Sequence, residues 1–236
     1  MAKQIVYPKY DLTKLEELTK SHLGEHRRFG AAKKPLVINS LNAVTGEPVC
    51  FKTRHHEDFK RDHQLPAWHV AVATAAAPVY MRAFLTEGQC DHMDGGIWAN
   101  CPALVGAIEA INRFDRPRDS IDILNVGTTR AAFTSGQASR SGGALVNLNM
   151  LNPVLLATMM EVNRCAAIFM AKQLVGPDSL VEIDRVMGKA TELDDTRPNA
   201  LRDLEGLGKE SAKAHVDSID KRFLATVTPD FVPVTP

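Results

Sequence analysis

The sequence predicts an α/β protein, and three stretches predict it. Asp91 to Glu109 reads as a short strand, a turn made of an acid and two glycines, and then an amphipathic helix. Leu36 to Lys52 reads as a hairpin, two apolar strands around the turn signal Gly46-Glu47-Pro48. Ile121 to Val126 is a short apolar run stopped by Gly127, the pattern of a buried strand in a mainly parallel sheet.

The first helix is signalled by Leu12, Leu15 and Leu18 on one face, with Thr13 as a capping residue and the polar stretch Ser21 to Arg28 ending it. Pro66 to Ala77 is a helix of small residues, with Trp68 and Val72 four apart and alanines that permit close approach to a neighbour. Met81 to Gln89 is expected as a loop and Cys90 to Met93 as the strand before Asp94. In the next helix Asn100 suits the N-cap, Pro102 the first helical position, and Leu104, Val105, Ile108 and Ile111 the buried stripe. Ala131 to Gly143, rich in Ser, Gly and Ala, is expected as a surface loop. Asn152-Pro153 opens a long helix through about Leu174 that carries Leu155, Met159, Met160, Val162 and Ile168; such a methionine-rich helix reads first as core, with lining of an apolar pocket as the rival reading. Leu180 to Val186 alternates like a strand. Two helices, Asn199 to Gly208 and about Lys209 to Leu224, close the chain before a frayed end at Pro229 to Pro236. No internal repeat and no second domain is visible, so the 236 residues are taken as one domain.

Composition narrows the function classes. Basic and acidic residues number 28 each and cancel, which gives no bulk attraction to nucleic acid. The start lacks an apolar core of signal-peptide length, and no apolar run approaches the roughly 20 residues that span a bilayer, so a cytoplasmic setting is expected. Cys50, Cys90, Cys101 and Cys165 lack paired metal-type spacing and read as small hydrophobes. His55-His56-Glu57-Asp58 through His63 is the densest group of metal-ligand types, yet its adjacent histidines cannot share a helix face. An exposed polar loop is the plainer reading, and no metal or other cofactor is expected.

The candidate site is the acid turn. Asp94 is followed by Gly95 and Gly96, which tolerate backbone angles and close approaches forbidden to other residues, so a carboxylate is presented on a sharp turn. Asp91 is the rival acid but lacks the glycines. His92 fits a packing role better than a catalytic one. Asn100 either caps the helix or also holds the turn by a hydrogen bond. Ser139-Arg140-Ser141-Gly142-Gly143 follows no strand, which argues against a nucleophile or phosphate cradle there.

Asp94-Gly95-Gly96 with Asn100, Pro102 and Glu109-Ala110 resembles the Asp-Gly-Gly motif of the patatin-like phospholipases. Ala73-Thr74-Ala75-Ala76-Ala77-Pro78 is similar to the family's Ala-Thr-Ser-Ala-Ala-Pro segment. Lys34 to Ile38 with Thr45-Gly46 looks like its strand and hairpin, and Ile123 to Thr128 sits where the family has a strand ending in Gly-Thr-Gly. The resemblance implies a three-layer α/β/α fold, with a core about 34–130 and a helical part about 150–225. It also implies hydrolysis of lipid acyl esters by a serine nucleophile with Asp94 as its base. The substrate would be a lipid or acyl ester, met through peripheral membrane contact. A free aspartate, with a pKa of about 3.9, is a weak base near neutrality; partial burial among Met93, Ile97 and Trp98 would strengthen it.

The family's other half does not match. None of the 15 glycines has a serine two positions later, so the Gly-x-Ser-x-Gly elbow is not in this chain, and neither is the glycine-rich oxyanion loop. Gly88-Gln89-Cys90 and Gly127-Thr128-Thr129 come nearest, and neither completes an elbow. The expectation is a patatin-like domain incomplete at its N-terminal side, its nucleophile on other sequence or on a partner polypeptide. The alternatives are a catalytically inactive binding protein and a hydrolase with an unrecognised nucleophile. A sheet missing strands exposes apolar surface, so the chain alone is expected to associate.

Overall fold

A computed structural model describes residues 8–85, 90–131, 153–187 and 191–235. The expected loop from 132 to 143 and the segment at Gly88-Gln89 lie outside them. The chain is an α/β protein in two compact units, one of residues 1–102 with 229–236, the other of 103–228.

In the first unit, helix α1 (Thr13–Leu23) is started by a residue the sequence reading passed over. The Asp11 carboxylate accepts hydrogen bonds from the Thr13 N–H and hydroxyl, each at 3.0 Å. Leu12, Leu15 and Leu23 face the core, while Leu18 is 56% exposed. Strands β1 (Val37–Asn42) and β2 (Pro48–Lys52) form the expected antiparallel hairpin, and Gly46 takes the positive φ of 74° that its turn requires. Helix α2 (Ala67–Ala75) buries Trp68, Val70, Val72 and Ala73. Strands β3 (Phe84–Leu85) and β4 (Asp91–Asp94) complete a four-stranded sheet in the order β2-β1-β4-β3, antiparallel throughout. The core joins Leu12, Phe29, Phe51, Trp68, Val70, Val72 and Phe84 between this sheet and its helices.

The turn after β4 is a single helical turn, α3 (Gly96–Ala99), and the long helix α4 (Ala103–Arg113) begins only after Pro102. Asn100 therefore ends α3 with φ −58° and ψ −27°, a helical conformation and not the extended one an N-cap adopts.

In the second unit the fully buried residues of α4 are Ala103, Ala107 and Glu109, while Leu104, Val105 and Ile111 are half-buried and Ile108 is 43% exposed. Helix α4 packs with helix α5 (Pro153–Val175) around Ala107, Ile121 and Val175, and of the expected stripe Ile111 packs against this cluster. Strand β5 (Ile123–Val126) pairs in parallel with β7 (Leu180–Ile183), and β6 (Arg130–Ala131) with β8 (Val186–Met187). Among the described residues parallel pairing is thus confined to two small two-stranded sheets, and β5 is half-buried rather than buried. The two expected terminal helices are one, α6 (Pro198–Arg222). Gly206 and Gly208 weaken a helix without ending it, since each keeps its N–H. The end is not frayed either: Phe231 N–H donates to the Lys33 carbonyl at 3.0 Å and Val234 N–H to the Arg54 carbonyl at 2.9 Å, within the first unit.

Candidate active site

The acid turn is built by β1, α2 and β4 around the Asn39–Ser40 backbone. Ser40 pairs with Asp94 across the antiparallel ladder, and the Asp94 N–H donates to the Ala76 carbonyl at 3.0 Å, tying the strand to the end of α2. Three side chains lock this junction. The Thr74 hydroxyl donates to the Asn39 carbonyl at 2.6 Å, and the Trp98 indole N–H donates to the Ser40 carbonyl at 2.7 Å. The fully buried Ser40 hydroxyl lies 2.8 Å from the Met93 carbonyl and 3.2 Å from that of Ala73. Ser40 was missed as a site residue, although a serine inside an apolar strand is itself a signal of an internal hydrogen bond. Those carbonyls engage its hydroxyl, and it sits mid-strand, not on a strand-to-helix bend.

The two glycines have different jobs. Gly95 has φ −66° and ψ −18°, which any residue adopts, so torsion does not require glycine here. Space does: a Cβ on Gly95 would lie 2.2 Å from the Asn39 carbonyl oxygen and 2.3 Å from its carbon. The close approach that the glycine permits is to this chain's own β1. Gly96 supplies an N–H, which donates to Asp94 Oδ1 at 2.7 Å. A Cβ there would lie 3.1 Å from Asp94 Oδ1 and 3.5 Å from Asn100 Oδ1, so Asn100 also stands beside the turn.

Asp94 is half-buried. Burial pushes its carboxyl above the ordinary carboxylate range, and the Gly96 N–H opposes that shift without cancelling it. Asp94 forms no ion pair with a described residue, and its Oδ2 accepts no hydrogen bond from one, so one oxygen is positioned while the other remains available to an incoming proton donor. Of the apolar neighbours expected to shield it, Met93 and Trp98 are half-buried and Ile97 is 41% exposed.

The rival residues are placed too. His92 is 1% exposed, its ring 5.0 Å from that of Phe51; burial pushes its pKa down against the pull of Asp91 and Asp62, which keeps it neutral near pH 7. Asp91 opens β4 opposite Leu85. The His55–His63 stretch is not simply an exposed loop. His55 is 6% exposed, its Nδ1 2.9 Å from the Thr53 hydroxyl and its ring edge-on to Phe59. Among the described residues no group of three or more His, Cys, Asp or Glu is disposed to hold a metal ion, and no helix is long and apolar enough to cross a membrane.

In the second unit, Gly127 packs so closely on Asp184 that a Cβ would lie 2.5 Å from its carboxylate. That carboxylate belongs to a half-buried ionic network. Arg164 reaches Glu161 at 2.8 Å, Glu182 at 2.5 Å and Asp184 at 3.8 Å, and Arg130 reaches Asp184 at 3.3 Å. Hydrogen bonding to Glu161 holds the Arg164 guanidinium even further above neutrality than usual.

Fold and turn together define an α/β protein that presents a half-buried carboxylate with one oxygen open. No protein-family model matches the chain. In sequence it is similar to a cGAMP-activated phospholipase of Escherichia coli, 28% identical over an alignment 228 residues long that covers 90% of this chain and 64% of the relative. It is likewise similar to cGAMP-activated phospholipases of Vibrio cholerae, 33% identical over 141 residues, and of Pseudomonas aeruginosa, 34% identical over 140 residues. These last two alignments cover 57% and 58% of this chain and 40% of each relative. The chain thus spans less than two thirds of the length of the curated relatives it matches.

Proposed function

We propose that these 236 residues are the aspartate-bearing part of a patatin-type lipid acyl hydrolase, in which Asp94 is the base for a serine hydroxyl carried on sequence outside them. The observation that carries this reading is the carboxylate itself: raised in pKa by burial, fixed through one oxygen by Gly96, and open at the other. A serine hydroxyl within hydrogen-bond reach of Oδ2 would pass its proton to Asp94 as its oxygen attacks the ester carbonyl. Asp94 would return that proton to the leaving alcohol, giving an acyl-serine. Water, deprotonated by the same carboxylate, would then release the fatty acid and restore the hydroxyl. No histidine is needed in this scheme, because burial does part of the work that an imidazole base does elsewhere. The similarity to phospholipases supports a phospholipid substrate, reached at a membrane surface, and their name supports cGAMP as activator. The missing nucleophile would come from contiguous sequence or from a partner polypeptide. Residues of about 34–130 and 150–225 would then be parts of a single hydrolase domain.

The absence of an elbow among the 15 glycines favours a second reading, a binding protein that keeps the turn without catalysis. The test starts with the coding sequence ahead of Met1, read in all frames for Gly-x-Ser-x-Gly. The polypeptide so extended is assayed for fatty-acid release from phospholipid vesicles and p-nitrophenol release from an acyl ester, with and without cGAMP. Hydrolysis that falls about 10³-fold in Asp94→Asn is expected. A flat trace in every arm supports the binding protein, and hydrolysis undiminished by Asp94→Asn removes Asp94 from the mechanism. Ester release by the 236-residue chain alone would place the nucleophile within it.

A further inference from the structure

The first unit contains a cavity of about 820 Å³ whose polar lining is almost wholly cationic. Arg28, Arg54, Lys60, Arg61, His63 and His69 line it, and no carboxylate is among its described lining residues. In a chain whose 28 acids balance 28 bases, that is a strong local segregation of charge. The nearby acids are engaged elsewhere: Asp62 accepts the Lys52 N–H at 3.1 Å, and Asp58 stands 3.3 Å from His56 Nδ1. None of the residues that hold the Asp94 turn lines the cavity.

Two features mark it as built rather than incidental. Its walls are pinned by backbone: Phe29 N–H donates to the Leu65 carbonyl at 2.8 Å, Ala67 N–H to the Arg27 carbonyl at 2.8 Å, and Val234 N–H to the Arg54 carbonyl at 2.9 Å. Gly30 is held so close to His63 that a Cβ would lie 2.9 Å from the His63 carbonyl oxygen, and Arg28 is oriented by its own bond to the Gln64 carbonyl at 2.7 Å. Against these walls, Arg54 Nε and His63 Nδ1 are buried and have no hydrogen-bond partner among the described residues. Buried nitrogens left unsatisfied are unfavourable, and so are four permanent cations around one concavity; an anionic ligand seated among the cations relieves their repulsion.

We propose that this cavity is a binding site for a phosphoryl oxyanion, with Arg54 and His63 as the inner contacts and Arg28, Lys60 and Arg61 neutralising its charge. Tetrahedral phosphoryl oxygens match the planar fork of arginine, and the volume exceeds that of a lone phosphate, so the ligand carries a further organic part. A soluble phosphodiester and a lipid headgroup share this chemistry. The proposal rests on the cavity's own geometry and is independent of the hydrolase reading.

The test is calorimetric titration of the full chain with inorganic phosphate and with cGAMP as a soluble phosphodiester, beside co-sedimentation with phosphatidylglycerol and phosphatidylcholine vesicles. Saturable binding of a phosphate-bearing probe is expected, weakened at least tenfold in Arg54→Gln and in Arg61→Gln. Arg61 is exposed, so the second variant keeps the fold and carries the test if the first does not. Binding of cGAMP or phosphate without vesicle binding assigns a soluble ligand, and binding of phosphatidylglycerol vesicles alone assigns a headgroup. No saturable binding of any probe, or an affinity unchanged in Arg61→Gln, overturns the proposal.

Discussion

Replacing Gly95 by alanine would put a methyl group 2.2 Å from the Asn39 carbonyl oxygen, 2.3 Å from its carbon and 2.8 Å from Asn39 Cβ. Comfortable contacts lie near 3.5 Å, so β1 and the turn must part by about 1 Å. Little can give there. The Asn39 carbonyl is held by Thr74, the Ser40 carbonyl by Trp98, and Asp94 N–H by Ala76, so separation stretches at least two hydrogen bonds. Overpacking costs about 1–3 kcal/mol and each weakened bond about 1 kcal/mol. Alanine at helical torsions returns up to about 1 kcal/mol. The net is about 3 kcal/mol, which for a protein of this size lowers Tm by about 6–12 °C. The assay is thermal unfolding followed by circular dichroism, with Gly206→Ala as the control. Gly206 lies within α6 with nothing inside 4 Å of an added Cβ, and there alanine should stabilise by about 0.5–1 kcal/mol. A Gly95→Ala chain that melts with the wild type would refute the close approach and with it the reason for glycine at this position.

Three further outcomes are expected. Asp94 has a folded-state pKa above its ordinary 3.8, so it binds its proton more tightly when folded, and its contribution to stability is lost as pH rises from about that value through the raised one. Asp94→Asn should therefore melt higher than wild type at pH 7, with the gap closing toward pH 4; equal melting across that range would contradict the burial argument. Arg164→Ala strips the half-buried Asp184 and Glu161 of their shared cation and should destabilise by about 3 kcal/mol, read from urea unfolding, whereas the exposed pair of Lys209 with Glu205 should contribute under 1 kcal/mol. On α5, Met159, Val162 and Phe169 are 62%, 59% and 64% exposed, a stripe at helical spacing, so the chain should associate in size exclusion and Phe169→Glu should shift it toward monomer. Monomeric elution of the wild type at high concentration would count against that stripe being sticky.

What the sequence determined by itself is what local chemistry determines. Gly46 fixed a hairpin because its turn needs a positive φ, and Asp94 ahead of two glycines marked the turn on which a carboxylate would stand. Where partners lie far apart along the chain, the pattern was silent or misleading. Leu104, Val105, Ile108 and Ile111 suggested an aliphatic face for α4, yet Ala103, Ala107 and Glu109 are its fully buried residues, and of the four only Ile111 packs against the cluster of Ala107, Ile121 and Val175. Gly95 left open whether backbone angle or space required it and what came close, and the need is spatial, set by Asn39 more than 50 positions earlier. The cationic cavity is the plainest case. Arg28, Arg54, Lys60, Arg61 and His63 are ordinary surface residues in sequence, and only tertiary structure gathers them around one space. Periodicity and turn chemistry act between neighbours a few residues apart, whereas burial, electrostatic segregation and close approach are set by the distances that folding alone decides.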